Sequence, residues 1–311
     1  MVVQAWVEQG LFGALADGTA RPLQDLPGDP RALAITASIL GHLGLLTRLH
    51  GPNGELWALS TSGRALLPAL GPGSTPPADL VALPRVLAEG GPVPGPDGVR
   101  RPHKGGSQPA TPDATRRFLD WLYRRSQTAC EDIARVVLAR WGERRGRVLD
   151  LGGGHGRYGK TLAELGFDVA VFDQPLVCDL GRERYGDALT WLAGDFQDPG
   201  FGPEVAGGDY ELVLMSNIVH SLSPAEVQGL LRRLRPVVRP GGALLIKDMF
   251  LDNTAVGPES AVMFGLVMLM YNEGGRSYGI DQMRDWLGQA GYPSVEHTEL
   301  LDQGYACLIA R

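Results

Sequence analysis

The chain has 311 residues, enough for two domains that each bury a core. Its apolar share of 44% suits a globular chain, and no apolar run nears the roughly 18 residues that cross a bilayer. A net charge of −6 argues against a bulk polyanion such as nucleic acid as partner.

The opening stretch MVVQAWVEQGLFGALADG lacks a basic leader and carries Glu8 and Asp17, so it predicts a helix and not a signal peptide. Leu11, Phe12 and Leu15 share a helical face, and Ala32 to Leu46 repeats apolar residues at spacings of three and four. A turn at Gly51-Pro52-Asn53-Gly54, a short run Glu55–Leu59 and a helical pattern over Thr61–Leu67 follow. Helices before a short hairpin predict a winged-helix-like, mainly α module over residues 1–70. Its four arginines and no lysine face five acids (Glu8, Asp17, Asp25, Asp29, Glu55). DNA-binding modules need phosphate neutralisation, so packing or dimerisation is the better reading.

Residues 71–113 hold ten prolines and eight glycines, a composition that predicts a linker or irregular wrapping. Arg100, Arg101, His103 and Lys104 within it read as a solvated loop. Thr115 to Trp141 turns helical, with Phe118, Leu122, Ala129, Ile133, Val136 and Val137 on one side. Trp121, Tyr123 and Gln127 are candidates to line a pocket, against packing in the core.

From residue 147 strands and helices alternate, which predicts an α/β domain over 114–311: a mostly parallel, Rossmann-like sheet with helices on both faces. The predicted strands are Arg147–Leu151, Asp168–Phe172, Leu189–Ala193, Glu211–Ser216 and Ala243–Lys247. Ser223-Pro224-Ala225-Glu226 is a capping box, and Pro240-Gly241-Gly242 stops the chain after that helix. Helices over Ser260–Tyr271 and Ile280–Ala290 follow, then two strands joined around Asp302-Gln303-Gly304. Cys130, Cys178 and Cys307 have no metal-ligand spacing and read as buried thiols of a reducing cytoplasm.

The richest stretch is VLDLGGGHGRYG, Val148 to Gly159. A strand that turns through glycines into a helix lets a ligand meet bare backbone. Gly154, Gly156 and Gly159 fit a dinucleotide fingerprint, with Asp173 as the ribose acid. Asp150 weighs against it, because a carboxylate beside a pyrophosphate sets like charge against like. S-adenosylmethionine reverses that balance: its sulfonium and ammonium are cations. Asp150 then contacts the ligand or braces the loop around Gly152 and Gly154. Asp173 suits the ribose diol, and Asp195 with Phe196 suits the adenine. These acids end consecutive strands, where open α/β sheets bind ligands.

The chain also resembles the S-adenosylmethionine-dependent O-methyltransferases of the plant caffeate and acetylserotonin type, including their bacterial small-molecule members. The resemblance runs through GDPRALAITASILGHLGLL, LWALSTSGRALL, LDLGGGHG, VFDQP, AGDF, LMSNIVH, RPGGALLIKD and MLMYNEGGRSY. It implies a homodimer formed through the N-terminal domain, one subunit closing its partner's site, and cofactor contacts that include Gln174. It implies His220 as general base, an imidazole mostly neutral at pH 7 and able to accept a hydroxyl proton. Asp248 falls on a supporting carboxylate position. A second such carboxylate is replaced at or near Ser277, and the acid that often follows the histidine is Ser221. A basic cofactor-contacting residue of some relatives corresponds to Ser216. Phe264, Val267, Met268 and Asn272 fall on substrate-pocket positions, where core packing is the alternative for the first three.

The reading is therefore a cytoplasmic methyltransferase acting on a hydroxyl of a small aromatic or polyketide-like metabolite. The rivals are N- or C-methyl transfer or other cofactor-assisted chemistry on the same fold, a winged-helix regulator, and a dinucleotide enzyme.

Overall fold

The computed structural model describes residues 1–52, 54–66, 82–93, 111–142, 145–302 and 304–311. The basic cluster at 100–104 lies outside them, as does most of the proline- and glycine-rich stretch. The chain forms two compact units, Met1–Gly105 with Leu251–Gly279, and Gly106–Phe250 with Ile280–Arg311. No helix among the described residues is long and apolar enough to cross a membrane.

The first unit begins with α1 (Val2–Glu8), α2 (Leu11–Ala14) and α3 (Pro30–His42). Asp29 caps α3 by accepting the Ala32 N–H at 2.8 Å. The predicted run to Leu46 stops early because Gly44, at φ +71°, turns the chain out of the helix. Leu46 instead opens a hairpin of β1 (Leu46–Gly51) and β2 (Gly54–Leu59), followed by α4 (Thr61–Leu66). Within the stretch read as linker, α5 (Leu83–Glu89) forms after all. Its Leu83, Val86 and Leu87 sit on one helical face and enter this unit's core.

The segment Leu251–Gly279, read from sequence as part of the 114–311 domain, packs within this first unit. Its helix α11 (Glu259–Tyr271) is apolar all round and buries Val262, Leu266, Leu269 and Met270 in the core shared with α3. Arg31, in the first turn of α3, fastens its far end. The guanidinium donates to the carbonyls of Met268 (2.8 Å), Asn272 (2.8 Å), Glu273 (2.9 Å) and Gly275 (2.6 Å). A cation at a helix C-terminus is electrostatically favourable. Burial, with the nearby Arg276 charge, lowers Arg31 to about 10, so it stays charged at neutral pH.

The second unit starts with α6 (Pro112–Arg125) and α7 (Gln127–Trp141), a break at Ser126 dividing the single helical pattern read from the sequence. Ala129, Ile133, Val136 and Val137 are buried as predicted, whereas Phe118 lies exposed. The sheet then builds from β3 (Arg147–Leu151), β4 (Asp168–Asp173), β5 (Thr190–Ala193), β6 (Tyr210–Ser216), β7 (Val238–Asp248), β8 (Val295–Glu299) and β9 (Ala306–Ala310). Its order is β5-β4-β3-β6-β7-β9-β8, parallel through β7 and antiparallel at β9 and β8. Helices α8 (Arg157–Glu164), α9 (Pro175–Tyr185), α10 (Pro224–Leu234) and α12 (Ile280–Gln289) complete the unit. The capping box of α10 forms as read, Ser223 and Glu226 exchanging bonds. α10 ends at Leu234, before Pro240-Gly241-Gly242, which lie within β7 as an irregularity, with Gly241 at φ +77° and the register shifting against β6 between Tyr210 and Leu212.

Order reverses between β3 and β6, so the C-terminal ends of β3, β4, β5, β6 and β7 converge on a topological switch point. All three cysteines are buried and free. Tight packing behind this edge gives a test. A Cβ on Gly181 of α9 would lie 2.2 Å from the buried Trp191 ring. Gly181→Ala should therefore cost about 1–3 kcal/mol, read as a lower urea midpoint at unchanged slope. An unchanged midpoint would mean that the ring moves freely.

Candidate active site

The loop after β3 is built on backbone that only glycine adopts cheaply. Gly152 (φ +65°) donates its N–H to Phe172 O at 2.8 Å, and a Cβ there would strike Ile218 at 2.5 Å. A Cβ on Gly154 (φ +51°) would meet the Leu119 side chain at 3.7 Å, an ordinary packing distance, so it is the left-handed backbone that favours glycine there. The Gly154 N–H donates to Asp173 Oδ2 at 2.8 Å, tying the loop to the end of β4.

Asp150 braces the loop, which is one of the two roles the sequence allowed. It is 1% exposed, and Oδ2 accepts the Gly159 N–H at 3.0 Å from beneath the loop. Oδ1 is buried with no hydrogen-bond partner among the described residues. Burial pushes this carboxyl up to about 7, with the Asp173 charge adding to the shift. Asp150 is then only part-ionised at neutral pH, which corrects its reading as a fixed charge choosing the ligand.

The sign of the consequence is definite. A carboxyl raised from 3.8 to about 7 binds its proton more tightly folded than unfolded. It therefore costs stability as pH rises through that window, at up to about 1.4 kcal/mol per pH unit. Asp150→Asn should flatten the difference in urea midpoint between pH ~4 and ~7. An identical pH dependence in variant and parent would contradict this environment.

Asp173 is the better-placed acid. Oδ1 accepts Gln174 N–H at 2.7 Å while Oδ2 holds Gly154, so the carboxylate is aligned at the strand end. Burial raises it, and these two N–H donors oppose the rise. Gln174 is exposed at the start of α9. Asp195, exposed after β5, accepts the Gln197 N–H at 2.8 Å. The Phe196 ring stands 3.4 Å from the position of a Gly152 Cβ. Ser216 Oγ, ending β6, is buried without a well-formed hydrogen bond among the described residues, beside the Tyr158 hydroxyl.

His155 was not singled out from the sequence, although GGGHG displays it. It is buried edge-on to Tyr123 (6.1 Å) and near Tyr158 (5.6 Å), and its Nδ1 accepts the Arg157 N–H. Burial and nearby cations lower it to about 4, so it is neutral. Tyr123 also receives the Arg157 and Arg184 guanidiniums at 4.6 and 4.9 Å. Trp121 is half exposed and stacked on Phe118 instead. A cleft of about 220 Å³ lies between α6, α9 and Gly154-His155; of the residues predicted to bind ligand, Gly154 alone lines it.

At the far side of the switch point His220 and Asp248 are paired. β6 ends at Ser216; Asn217 and a 3-10 turn at Val219–Ser221 then bring His220 onto the end of β7. His220 Nδ1 lies 2.7 Å from Asp248 Oδ1, and the His220 backbone N–H reaches Oδ2 at 3.3 Å. Asp248 is 1% exposed. Burial alone would raise its carboxyl, but the His220 charge and hydrogen bond, the Met249 N–H and Lys247 together hold it below the usual range. Because the Asp248 carboxylate accepts at Nδ1, that nitrogen carries a proton and Nε2 is the ring atom that faces away from Asp248. Ser221 Oγ closes its own turn on Ile218 O at 2.7 Å.

The remaining candidates belong to the other unit. On α11, Phe264 and Met268 are half-buried and Val267 is exposed. Asn272 is buried, and its Oδ1 accepts the Gly274 and Gly275 N–H groups, so its amide shapes the turn after the helix. Ser277 donates to Ala261 O at 2.6 Å.

Residues 110–293 match the family described as O-methyltransferase domain. Over 329 aligned positions the chain is 28% identical to 3-hydroxy-5-methyl-1-naphthoate 3-O-methyltransferase of Streptomyces sahachiroi, covering 98% of this chain and 89% of that one. Bovine acetylserotonin O-methyltransferase is 29% identical over 154 residues, 48% of this chain and 43% of the bovine one. Among solved structures, a family 2 O-methyltransferase from Planctomyces limnophilus in complex with apigenin has a TM-score of 0.77 at 21% identity, covering 100% of this chain and 91% of that one. Human N-acetylserotonin methyltransferase with bound S-adenosylmethionine gives 0.64 at 18%, covering 100% and 92%. At these identities the structural likeness speaks for the fold.

Proposed function

The chain belongs to the O-methyltransferase domain family, and on that premise we propose that it moves the methyl group of S-adenosylmethionine to a hydroxyl of a small aromatic or polyketide-like metabolite. The observation that carries this is the His220–Asp248 pair on the strand edge that also bears the glycine loop.

The donor set fits the cofactor. Strand ends carry the carboxyl groups of Asp173 and Asp195, which suit a cationic ligand with a ribose diol and an adenine amine. Gly154 presents backbone without a side chain to the cleft it lines, which suits close approach of a ligand. Asp173 would hold the ribose, Asp195 and Phe196 the adenine, and Gly152, Gly154, Gln174 and Ser216 the rest, with Asp150 bracing from below.

When bound, S-adenosylmethionine supplies an electrophilic methyl on a sulfonium. His220 Nε2 takes the acceptor's hydroxyl proton as the oxygen attacks, and Asp248 stabilises the imidazolium that results. For the acceptor the proposed contacts are Phe264, Val267 and Met268, the substrate-pocket positions of the resemblance, and Tyr123. Trp121, exposed on α6, is the weakest of the proposed acceptor contacts. The N-terminal unit, with its hairpin after α3, serves as a winged-helix-like dimerisation domain. The naphthoate named for the Streptomyces relative guides the choice of acceptor class.

Calorimetry with S-adenosylmethionine, S-adenosylhomocysteine and NAD tests the cofactor directly. The first two should bind and NAD should not; NAD binding alone would overturn the assignment.

A further inference from the structure

The chain holds 26 arginines and three lysines, and it buries one of those lysines beside the proposed catalytic pair. Lys247 is 1% exposed in the middle of the sheet, between β6 and β9. Taking an ammonium out of water is costly, so it needs compensation from its surroundings. Nζ donates to Asn217 Oδ1 at 3.2 Å and stands 3.3 Å from the centre of the Tyr305 ring. The backbone joins the same two residues, Asn217 N–H donating to Lys247 O at 2.9 Å. Burial lowers the ammonium to about 8, while Asp248 and Asp302 act in the opposite sense.

What Lys247 grips is an unusual corner. Asn217 sits at φ +58°, left-handed backbone that few non-glycine residues adopt, asparagine among the readiest. Asn217 is also the corner at which the chain leaves β6 for the turn carrying His220. Consecutive residues of β7 thus hold alternate parts of one turn: Lys247 holds Asn217 by side chain and backbone, and Asp248 holds His220 by ring and backbone.

We propose that Lys247 is a positioning residue for the His220–Asp248 pair, fixing the Asn217 corner and so the placement of the His220 ring. The proposal rests on His220 acting as the base. Lys247 touches neither acceptor nor reacting atoms; its effect passes through the turn.

A double-mutant cycle tests it, using whichever of 3-hydroxy-5-methyl-1-naphthoate, N-acetylserotonin or apigenin is turned over. Lys247→Met should lower kcat about tenfold in the parent, with the S-adenosylhomocysteine Kd within about twofold. In a His220→Ala background the same change should alter residual kcat by less than about twofold, because there is no base left to misplace. Loss by the same factor in both backgrounds, or no loss in the parent, would overturn the role. Should Lys247→Met not fold, Asn217→Gly removes Oδ1 while keeping the corner's backbone accessible, and it should show the same dependence on His220. Near-parental turnover by His220→Ala alone defeats the base assignment itself, and the role of Lys247 with it.

Discussion

Replacing His220 by Ala is expected to lower kcat for methyl transfer by about 10²–10⁴-fold, the usual contribution of a positioned general base. The S-adenosylhomocysteine Kd should stay within about twofold, since the pair sits at the β6 and β7 ends, away from Asp173 and Asp195. Asp248→Asn should produce a smaller loss of the same kind. The amide can still meet Nδ1, but it no longer fixes the tautomer or stabilises an imidazolium. A His220→Ala variant that turns over at nearly the parental rate would show that alignment alone drives the reaction. Methyl transfer to nitrogen or carbon would then become the better reading.

Asp173→Ala carries the largest expected effect on cofactor affinity, about 10–100-fold weaker binding of S-adenosylhomocysteine. Loss of a charge-assisted hydrogen bond accounts for about 1.5–3 kcal/mol of that range. Two consequences add together: the ribose partner goes, and Gly154 and Gln174 lose the acceptor that aligns their N–H groups. Asp150→Asn is the matched control, because an amide oxygen can still accept from Gly159 and the parent carboxyl is only part-ionised. It should weaken binding far less. Equal losses at both positions would mean that Asp150 meets the ligand as directly as Asp173 does.

Much of the second unit could be read from sequence because its signals are local. The five parallel strands are short apolar runs bounded by turns, and Ser223 with Glu226 states where α10 begins. The clustering of Asp173, Phe196 and the glycines at one edge follows from strand ends and topology, both legible in order. What escaped was decided by non-local packing. Pro240-Gly241-Gly242 looks like a stop, yet pairing of β6 with β7 carries the strand through it as a bulge. Leu83–Glu89 looked too rich in flanking prolines to matter, although three apolar side chains on one face bring it into a core. Phe118 and Trp121 share a helix with buried residues but fall on its exposed side.

The site shows the same division. The resemblance to the O-methyltransferases points to His220 and Asp248, and the 2.7 Å contact between them depends on two strand ends meeting. Asp150 and Asp173 are the same residue type near the ends of adjacent strands, and burial raises both; a single N–H donor at Asp150 against two at Asp173 separates a brace from an aligned acid. Asn272 falls on a substrate-pocket position by resemblance, and only the structure shows that its amide oxygen accepts from the Gly274 and Gly275 N–H groups. Lys247 had no motif at all, and only the sheet register puts it against Asn217.

The most direct test of the central claim is methyl transfer from S-adenosylmethionine carrying a ¹³C-labelled methyl to the three acceptors named above, with the product's methyl located by NMR. The account predicts a methyl ether on an aromatic hydroxyl of at least one acceptor, formed by the parent and nearly lost in His220→Ala. Label on nitrogen or carbon, or ether formed equally well without His220, would contradict it.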